Sequence, residues 1–168
     1  MKSQKEEFLK LLADYQGIIH KVGLLYFKTP EDRKDNFQEV SCQLWKAYPS
    51  LREKDNPASW IYAVAINVSV SKIRKDSRYV LGEIDRETSD EADCEQKTER
   101  SLDFRYLLDA LQRLGEIDRS VMLLYLEEYS YREIAGIIGI SAVHVGVRIN
   151  RAKKQLEKLL KTAYDGNE

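Results

Sequence analysis

The stretch from Tyr129 to Leu160 constrains this 168-residue chain most, because it reads as two helices around a tight turn. Ser130 can cap the first helix, and Glu133 can reach back to it, as in a capping box. Gly139 suits the position just past a helix end, and Ser141 offers a second N-cap. The second helix carries apolar residues spaced four and three apart, which share one buried stripe: Val145, Ile149, Ala152, Leu156 and Leu159.

The outer face of this second predicted helix is basic. From Tyr131 to Lys161 seven lysines and arginines stand against two glutamates, in a chain of formal net charge −1. Such a local excess of positive charge is typical of phosphate binding. A short helix, a Gly-containing turn and a basic helix form the pattern of a DNA-binding helix-turn-helix, whose second helix enters the major groove. The alternative is an ordinary helical hairpin with a solvated basic face.

The rest of the composition narrows the function classes. No secretion signal and no apolar run of about 20 residues is present, which predicts a cytoplasmic protein with no membrane contact of its own. Cys42 and Cys94 lack metal spacing and are expected to be free thiols. No metal cluster, nucleophile–base pair or phosphate-binding glycine loop is recognisable. We therefore expect no catalytic residues, no metal and no cofactor, and a protein that is not an enzyme.

Three further helices are predicted before the middle of the chain. Apolar residues recur at helical spacing from Gln4 to Phe27. Thr29-Pro30 and Asn56-Pro57 each begin a helix, since proline suits the first helical position. The first of these continues to near Pro49. Trp60, in the second, belongs either to the core or, with Tyr62, to a surface that stacks on exposed bases.

An acidic segment divides the chain. Residues 83–99 contain eight acidic and two basic side chains and one sizeable apolar side chain, Ile84. Such a stretch is expected to be a flexible, self-repelling linker. Two more helices, marked by leucines after residue 100, precede the helix-turn-helix. The sequence thus predicts an all-α fold with helical domains at residues 1–80 and 100–168, joined by a flexible acidic linker at 81–99.

This organisation resembles the bacterial RNA polymerase sigma factors of the extracytoplasmic-function group in the sigma-70 family. Three segments carry the resemblance. The first matches the pattern D-L-x-Q-E-V-F…L-W, the second W-L-Y-x-I-A-x-N, and the third the helix-turn-helix of the fourth sigma domain. In this chain they are Asp35-Asn36-Phe37-Gln38-Glu39-Val40 with Leu44-Trp45; Trp60-Ile61-Tyr62 with Ala65 and Asn67; and Tyr129-Ser130, Glu133-Ile134-Ala135, Gly139-Ile140-Ser141, Val145, Arg148 and Arg151-Ala152.

The resemblance implies a promoter-specificity factor that binds core RNA polymerase and promoter DNA and helps to melt the minus-ten region. Contacts to the clamp of the largest polymerase subunit are expected from Asp35, Gln38, Glu39, Leu44 and Trp45. Contacts to the minus-ten element are expected from Arg52, Lys54, Asn56, Asn67, Ser71, Lys72, Arg74 and Lys75. Contacts to the minus-thirty-five element are expected from Arg132, Ser141, His144, Arg148, Arg151 and Lys154. An anti-sigma factor is implied as a further partner.

In the second helix of the helix-turn-helix, the recognition helix, Arg148 is expected to read bases. Lys154 is expected to contact the DNA phosphates and so position the protein on the duplex. The chain departs from the family pattern at Asn36 and Ser41, where Leu and Phe are usual. It departs again at His144 and Gly146, where Thr and Lys are frequent. A stand-alone helix-turn-helix regulator that binds operator DNA as a dimer is the rival hypothesis, but such a regulator needs no polymerase-docking helix.

Overall fold

The computed structural model describes residues 3–52, 55–79 and 99–166, and the regular elements in these ranges are all helical. The α-helices are α1 (Gln4–Tyr26), α2 (Pro30–Ala47), α3 (Pro57–Tyr79), α4 (Glu99–Gln112), α5 (Glu116–Leu126), α6 (Tyr131–Ile138) and α7 (Ala142–Asp165). A short 3₁₀ helix, Tyr48–Ser50, follows α2. The all-α prediction is confirmed. Lys54, Cys94 and all of the predicted flexible linker except Glu99 lie outside the described residues.

Helices α1, α2 and α3 pack together as the N-terminal group. Ser3 and Glu6 form a capping box at the start of α1. Thr29 Oγ1 accepts from the Asp32 backbone N–H, with Pro30 at the first position of α2. Asn56 Oδ1 accepts from the Ala58 N–H at 3.0 Å at the start of α3. The apolar faces enclose a core formed by Ile19, Val22, Leu25, Val40, Leu44, Ile61, Ala65 and Ile66.

Helices α4 to α7 form the C-terminal group, and α6 and α7 are the predicted helix-turn-helix. Ser130 and Glu133 make the predicted capping box in both directions. Gly139 ends α6 with φ of 84°, the left-handed conformation that glycine adopts without a Cβ penalty. Ser141 caps α7 by accepting from the His144 N–H. The predicted stripe is inside, with Val145, Ile149, Ala152 and Leu156 buried beside Ile134, Val121 and Leu124.

Over the described residues, no single helix is long and apolar enough to cross a bilayer. Helices α6 and α7 meet such criteria only as a pair bent by 100°, on length and composition alone.

The two groups of helices pack against each other through what we term the interdomain contact. The Tyr26 hydroxyl donates to the Glu116 carbonyl oxygen at 2.6 Å and also bonds Ser120 Oγ. Gln112 Nε2 donates to the Leu24 carbonyl oxygen at 2.9 Å. Two ion pairs, Lys21–Glu127 at 2.7 Å and Arg74–Glu116 at 2.6 Å, lie at the edges. The rings of Tyr62 and Tyr129 meet edge to face, 5.7 Å apart. In this structure the chain is therefore closed.

A polar side chain interrupts the core of the N-terminal group. Asn36 on α2 is fully buried, and Ser69 Oγ of α3 donates to its Oδ1 at 3.2 Å. Its Nδ2 has no hydrogen-bond partner among the described residues. An unpaired buried donor costs about 1–3 kcal/mol. The departure from the family's leucine at this position therefore destabilises the packing of α2 on α3.

We predict that Asn36→Leu raises the free energy of unfolding by about 1 kcal/mol, because it removes the unpaired amide and adds apolar burial. The buried Ser69 hydroxyl loses its acceptor, but it can turn to the backbone carbonyl one helical turn earlier. The gain stays small since leucine is larger than asparagine and the core must adjust. Thermal unfolding of the two proteins measures the difference. Asn150→Leu on the exposed face of α7 is the control and should leave the midpoint nearly unchanged. A lower midpoint for Asn36→Leu than for the unaltered chain would contradict the prediction.

Candidate functional site

An open groove of about 1060 Å³ runs between α2 and α3 and brings two of the predicted sites together. One wall is formed by Asp35, Gln38 and Glu39 of α2, which were assigned to polymerase. The opposite wall is formed by residues of α3 that were assigned to the minus-ten element: Asn67, Ser71, Lys72, Arg74 and Lys75. The groove thus has a mainly acidic side and a basic side. The side chain of Glu39 is exposed and accepts a hydrogen bond from Gln43 Nε2 at 2.9 Å.

Leu44 requires a correction, because it cannot contact polymerase from its place in the structure. It is 1% exposed and belongs to the core of the N-terminal group. Its neighbour Trp45 is 42% exposed and packs against Phe8, with the ring centroids 5.0 Å apart. Residues i and i+1 on a helix point in different directions. The Leu-Trp pair therefore divides into one core residue and one surface residue.

The loop before α3 holds the other residues assigned to the minus-ten element. Arg52 is exposed, and its backbone N–H donates to Asp55 Oδ2 at 2.9 Å. Asn56 is also exposed, but its Oδ1 is used to cap α3. Lys54 lies outside the described residues. The loop is thus built by its own polar side chains and leaves the Arg52 side chain at the surface.

Two basic residues of the groove wall already have partners in this structure. Arg74 pairs with Glu116 of α5 across the interdomain contact. Within the N-terminal group, Lys72 Nζ lies 5.4 Å from the centroid of the Phe27 ring. Tyr62, within the segment that resembles the minus-ten reading helix, is 2% exposed under Tyr129. Burial, together with the charge of Glu127, raises the pKa of Tyr62 well above its usual range. Tyr62 is therefore a core residue in this conformation, whereas Trp60 is only partly buried.

The recognition helix α7 presents His144, Arg151 and Lys154 to solvent, and Arg132 is exposed on α6. Ser141 is exposed as well, although its hydroxyl is used as the N-cap of α7. These residues are all at the surface of the helix-turn-helix. They supply the positive charge that a duplex phosphate backbone attracts.

Arg148 makes an ion pair with a neighbouring helix. Its Nη1 donates to Asp118 Oδ1 of α5 at 2.7 Å, and both side chains are partly buried. In this structure the guanidinium therefore links α7 to α5, and its contact with bases stays a prediction. The sequence pattern placed Arg148 on the basic face because a helical projection does not show which neighbouring helix lies beside that face.

Sequence reasoning missed two groups of residues. Val143 and Val147 are exposed on the outward side of α7. The sequence could have indicated this, because the two valines are four residues apart and lie opposite the buried stripe. Tyr26 and Gln112 form interdomain hydrogen bonds. Tyr26 fitted the apolar pattern of α1, so the sequence did not show that its hydroxyl makes a hydrogen bond to another helix.

Tyr26 gives the interdomain contact a pH dependence. Burial raises the pKa of Tyr26 to about 12, although the hydrogen bond to Ser120 and the charge of Arg119 act in the opposite direction. A raised pKa means that the closed form favours the neutral phenol. The stabilisation that Tyr26 gives to the contact is therefore fully present below the usual tyrosine pKa near 10 and is lost as pH rises through a pKa of about 12.

We predict that Tyr26→Phe lowers the ratio of closed to open molecules at least about fivefold, because it removes the hydrogen bonds to Glu116 and Ser120, and each such bond contributes about 1 kcal/mol. Energy transfer between dyes on Cys42 and on a cysteine placed at Gln155, with Cys94→Ser, reports the ratio. Tyr164→Phe is the matched control, since Tyr164 bonds Asp103 within the C-terminal group. Equal energy transfer in the Tyr26→Phe and unaltered proteins would contradict the prediction.

Comparison with known proteins identifies the family. The family described as "Sigma-70 region 2" matches residues 11–79, and "Sigma-70, region 4" matches residues 104–156. The two matches together span most of the chain, in the order found here. The chain therefore belongs to the sigma-70 family of RNA polymerase sigma factors. Within that family it is a member of the extracytoplasmic-function group.

Individual relatives of this chain are also sigma factors. RNA polymerase sigma factor YlaC of Bacillus subtilis is 29% identical over 135 residues, covering 76% of this chain and 77% of its own. ECF RNA polymerase sigma factor SigM of Mycobacterium tuberculosis is 23% identical over 154 residues, covering 91% and 76%. The sigma factor RpoE, solved with the anti-sigma factor NepR from Bartonella quintana, superimposes with a TM-score of 0.73 at 22% identity, covering 94% and 96%. The last similarity shows a shared fold.

Proposed function

We propose that this chain is a promoter-specificity initiation factor that binds core RNA polymerase, directs it to a subset of promoters and helps to melt the minus-ten region. The observation that carries the proposal is the presence of both sigma regions on one chain, with a groove-forming α2–α3 pair in the first and an exposed basic helix in the second. The factor has no reaction of its own and acts in the cytoplasm beside polymerase.

Polymerase docking is assigned to the exposed face of α2. Asp35, Gln38 and Glu39 line one wall of the groove, and Trp45 is exposed one to two turns further along. Carboxylates beside an exposed aromatic ring suit a basic protein surface that has an apolar centre. Leu44 supports this face from within the core.

Recognition of the minus-ten element is assigned to the basic wall of the groove and to the loop before α3. Reading a base on its pairing edge requires its extrusion from the stack, which costs a few kcal/mol. Asn67 and Ser71 offer hydrogen-bonding groups for an extruded base, and Lys75 and Arg52 offer charges for the adjacent phosphates.

Binding both promoter elements requires the interdomain contact to open. The minus-ten and minus-thirty-five elements are about 25 base pairs apart, roughly 85 Å at 3.4 Å per pair. In the closed structure α3 contacts α6 directly, so α3 and α7 cannot reach both elements. We assign residues 1–80 and 100–168 to separable domains and residues 81–99 to the tether. A tether of about twenty extended residues spans about 70 Å, and the widths of the two domains add to that reach.

The closed form also suggests how the factor is kept inactive. RpoE of Bartonella quintana was solved with an anti-sigma factor, and CnrH, with a TM-score of 0.67, was solved with the cytosolic domain of CnrY. We propose that an anti-sigma protein binds this chain too and holds it closed. Tyr62 would then stay buried, and Arg74 would stay paired with Glu116.

Run-off transcription with core polymerase and a genomic promoter pool tests the proposed function. We expect transcripts only when both proteins are present, with one recurring promoter motif. A stand-alone regulator would instead shift duplex DNA without polymerase and would start no transcripts. Gel shift of the same promoter fragments, with and without core polymerase, separates these two results.

A further inference from the structure

Two exposed valines occupy the outward face of α7 near its N-terminus. Val143 is 76% exposed and Val147 is 41% exposed, whereas Val145 between them is fully buried. Residues four apart on a helix are neighbours on one face. The two side chains therefore form an apolar pair, one helical turn in length, on the side opposite the buried stripe.

Exposed basic side chains occur on the same helix-turn-helix as this pair. Arg151 and Lys154 are exposed further along α7, and Arg132 is exposed on α6. An apolar pair on a positively charged motif fits a ligand with an anionic frame and apolar groups inside it. The major groove of duplex DNA has this character, because the thymine C5-methyl group lies on its floor between two phosphate backbones.

Two neighbouring positions on the same turns offer fewer hydrogen-bonding groups to a ligand. Arg148 is held by Asp118 at 2.7 Å. Gly146 has no side chain, and a Cβ there would lie 3.4 Å from Cε2 of the Tyr131 ring. The N-terminal turns of a recognition helix are the part that contacts base edges. Beside the exposed His144, the two valines are therefore the apolar groups that this part of α7 offers to the bases.

We propose that Val143 and Val147 read thymine in the upstream promoter element by contact with its methyl group. The pair spans about 6 Å along the helix axis, at 1.5 Å per residue. Base pairs rise 3.4 Å each, so the two methyl groups lie about two base pairs apart. The inference rests on the proposed function and adds to it the bases that the helix selects.

Replacement of thymine by deoxyuridine tests the proposal, because it removes only the methyl group. Holoenzyme first selects upstream sequences from a randomised promoter library, and thymines in the selected element are then replaced one at a time. Each lost methyl contact should weaken promoter binding about fourfold. Val143→Ser and Val147→Ser should each remove the deoxyuridine effect at one position and retain it at the other.

Leu9→Ser is the matched control, since Leu9 is 50% exposed on α1, in the other half of the chain. Its deoxyuridine response should equal that of the unaltered protein. The unaltered holoenzyme could select an upstream element and yet bind thymine and deoxyuridine equally at every position. That result would refute the valine assignment. It does not depend on whether the serine variants fold. Failure of the holoenzyme to select any sequence would refute the proposed function itself.

Discussion

A covalently closed form of this protein should support no transcription above that of core polymerase alone. Lys21 Nζ and Glu127 Oε1 lie 2.7 Å apart across the interdomain contact. Cysteines at these two positions, with Cys42→Ser and Cys94→Ser, can be joined by a short cleavable bismaleimide. The link prevents α3 and α7 from separating, so only one promoter element is reached at a time. Run-off transcription on a selected promoter measures the loss.

Cleavage of the link should restore transcription to the level of the unlinked double-cysteine protein. The Lys21→Cys single variant, treated with the same reagent, controls for modification of the surface. Both substitutions remove an exposed ion pair, which contributes less than about 1 kcal/mol. Full activity of the linked protein would show that the closed arrangement is compatible with initiation and would contradict the proposed opening.

Reversal of charge at Glu39 should weaken binding to core polymerase at least tenfold. Glu39 is exposed on the acidic wall of the groove, and its backbone lies within α2, far from both helix ends. A lysine there faces the basic surface that we propose as its partner, and like charges in contact cost several kcal/mol. Titration of labelled core polymerase with each protein, at one fixed salt concentration, measures the affinity.

Glu31→Lys is the matched control, because it makes the same change in an exposed residue in the first turn of α2. It should alter stability by less than about 1 kcal/mol through the helix dipole and leave the affinity for polymerase near that of the unaltered protein. Trp45→Ala is a weaker test, since loss of its contacts with Phe8 and Tyr48 also disturbs the fold. Equal binding by Glu39→Lys and Glu31→Lys would contradict the assignment of α2.

Local signals in the sequence were sufficient to predict the helices and the turn between α6 and α7. Ser130, Gly139 and Ser141 act through their own backbone neighbours, and such interactions are visible from spacing alone. What the sequence did not show arises where two helices meet. Leu44 was misassigned because the core that it joins is formed by residues distant in sequence. The ion pair of Arg148 with Asp118 was missed for the same reason. The closed arrangement depends on hydrogen bonds between side chains and backbone more than 80 positions apart, which no periodicity encodes.

Three residues in the turn between α5 and α6 hold the interdomain contact and also direct the chain into α6. Glu127 pairs with Lys21, Tyr129 covers Tyr62, and between them Glu128 has φ of 64°, a left-handed conformation that costs a non-glycine residue about 1–2 kcal/mol. The same turn fixes the direction in which α6 leaves α5. The same turn therefore sets both the interdomain contact and the direction of the helix-turn-helix. We expect a protein that binds the helix-turn-helix to change the strength of the interdomain contact as well.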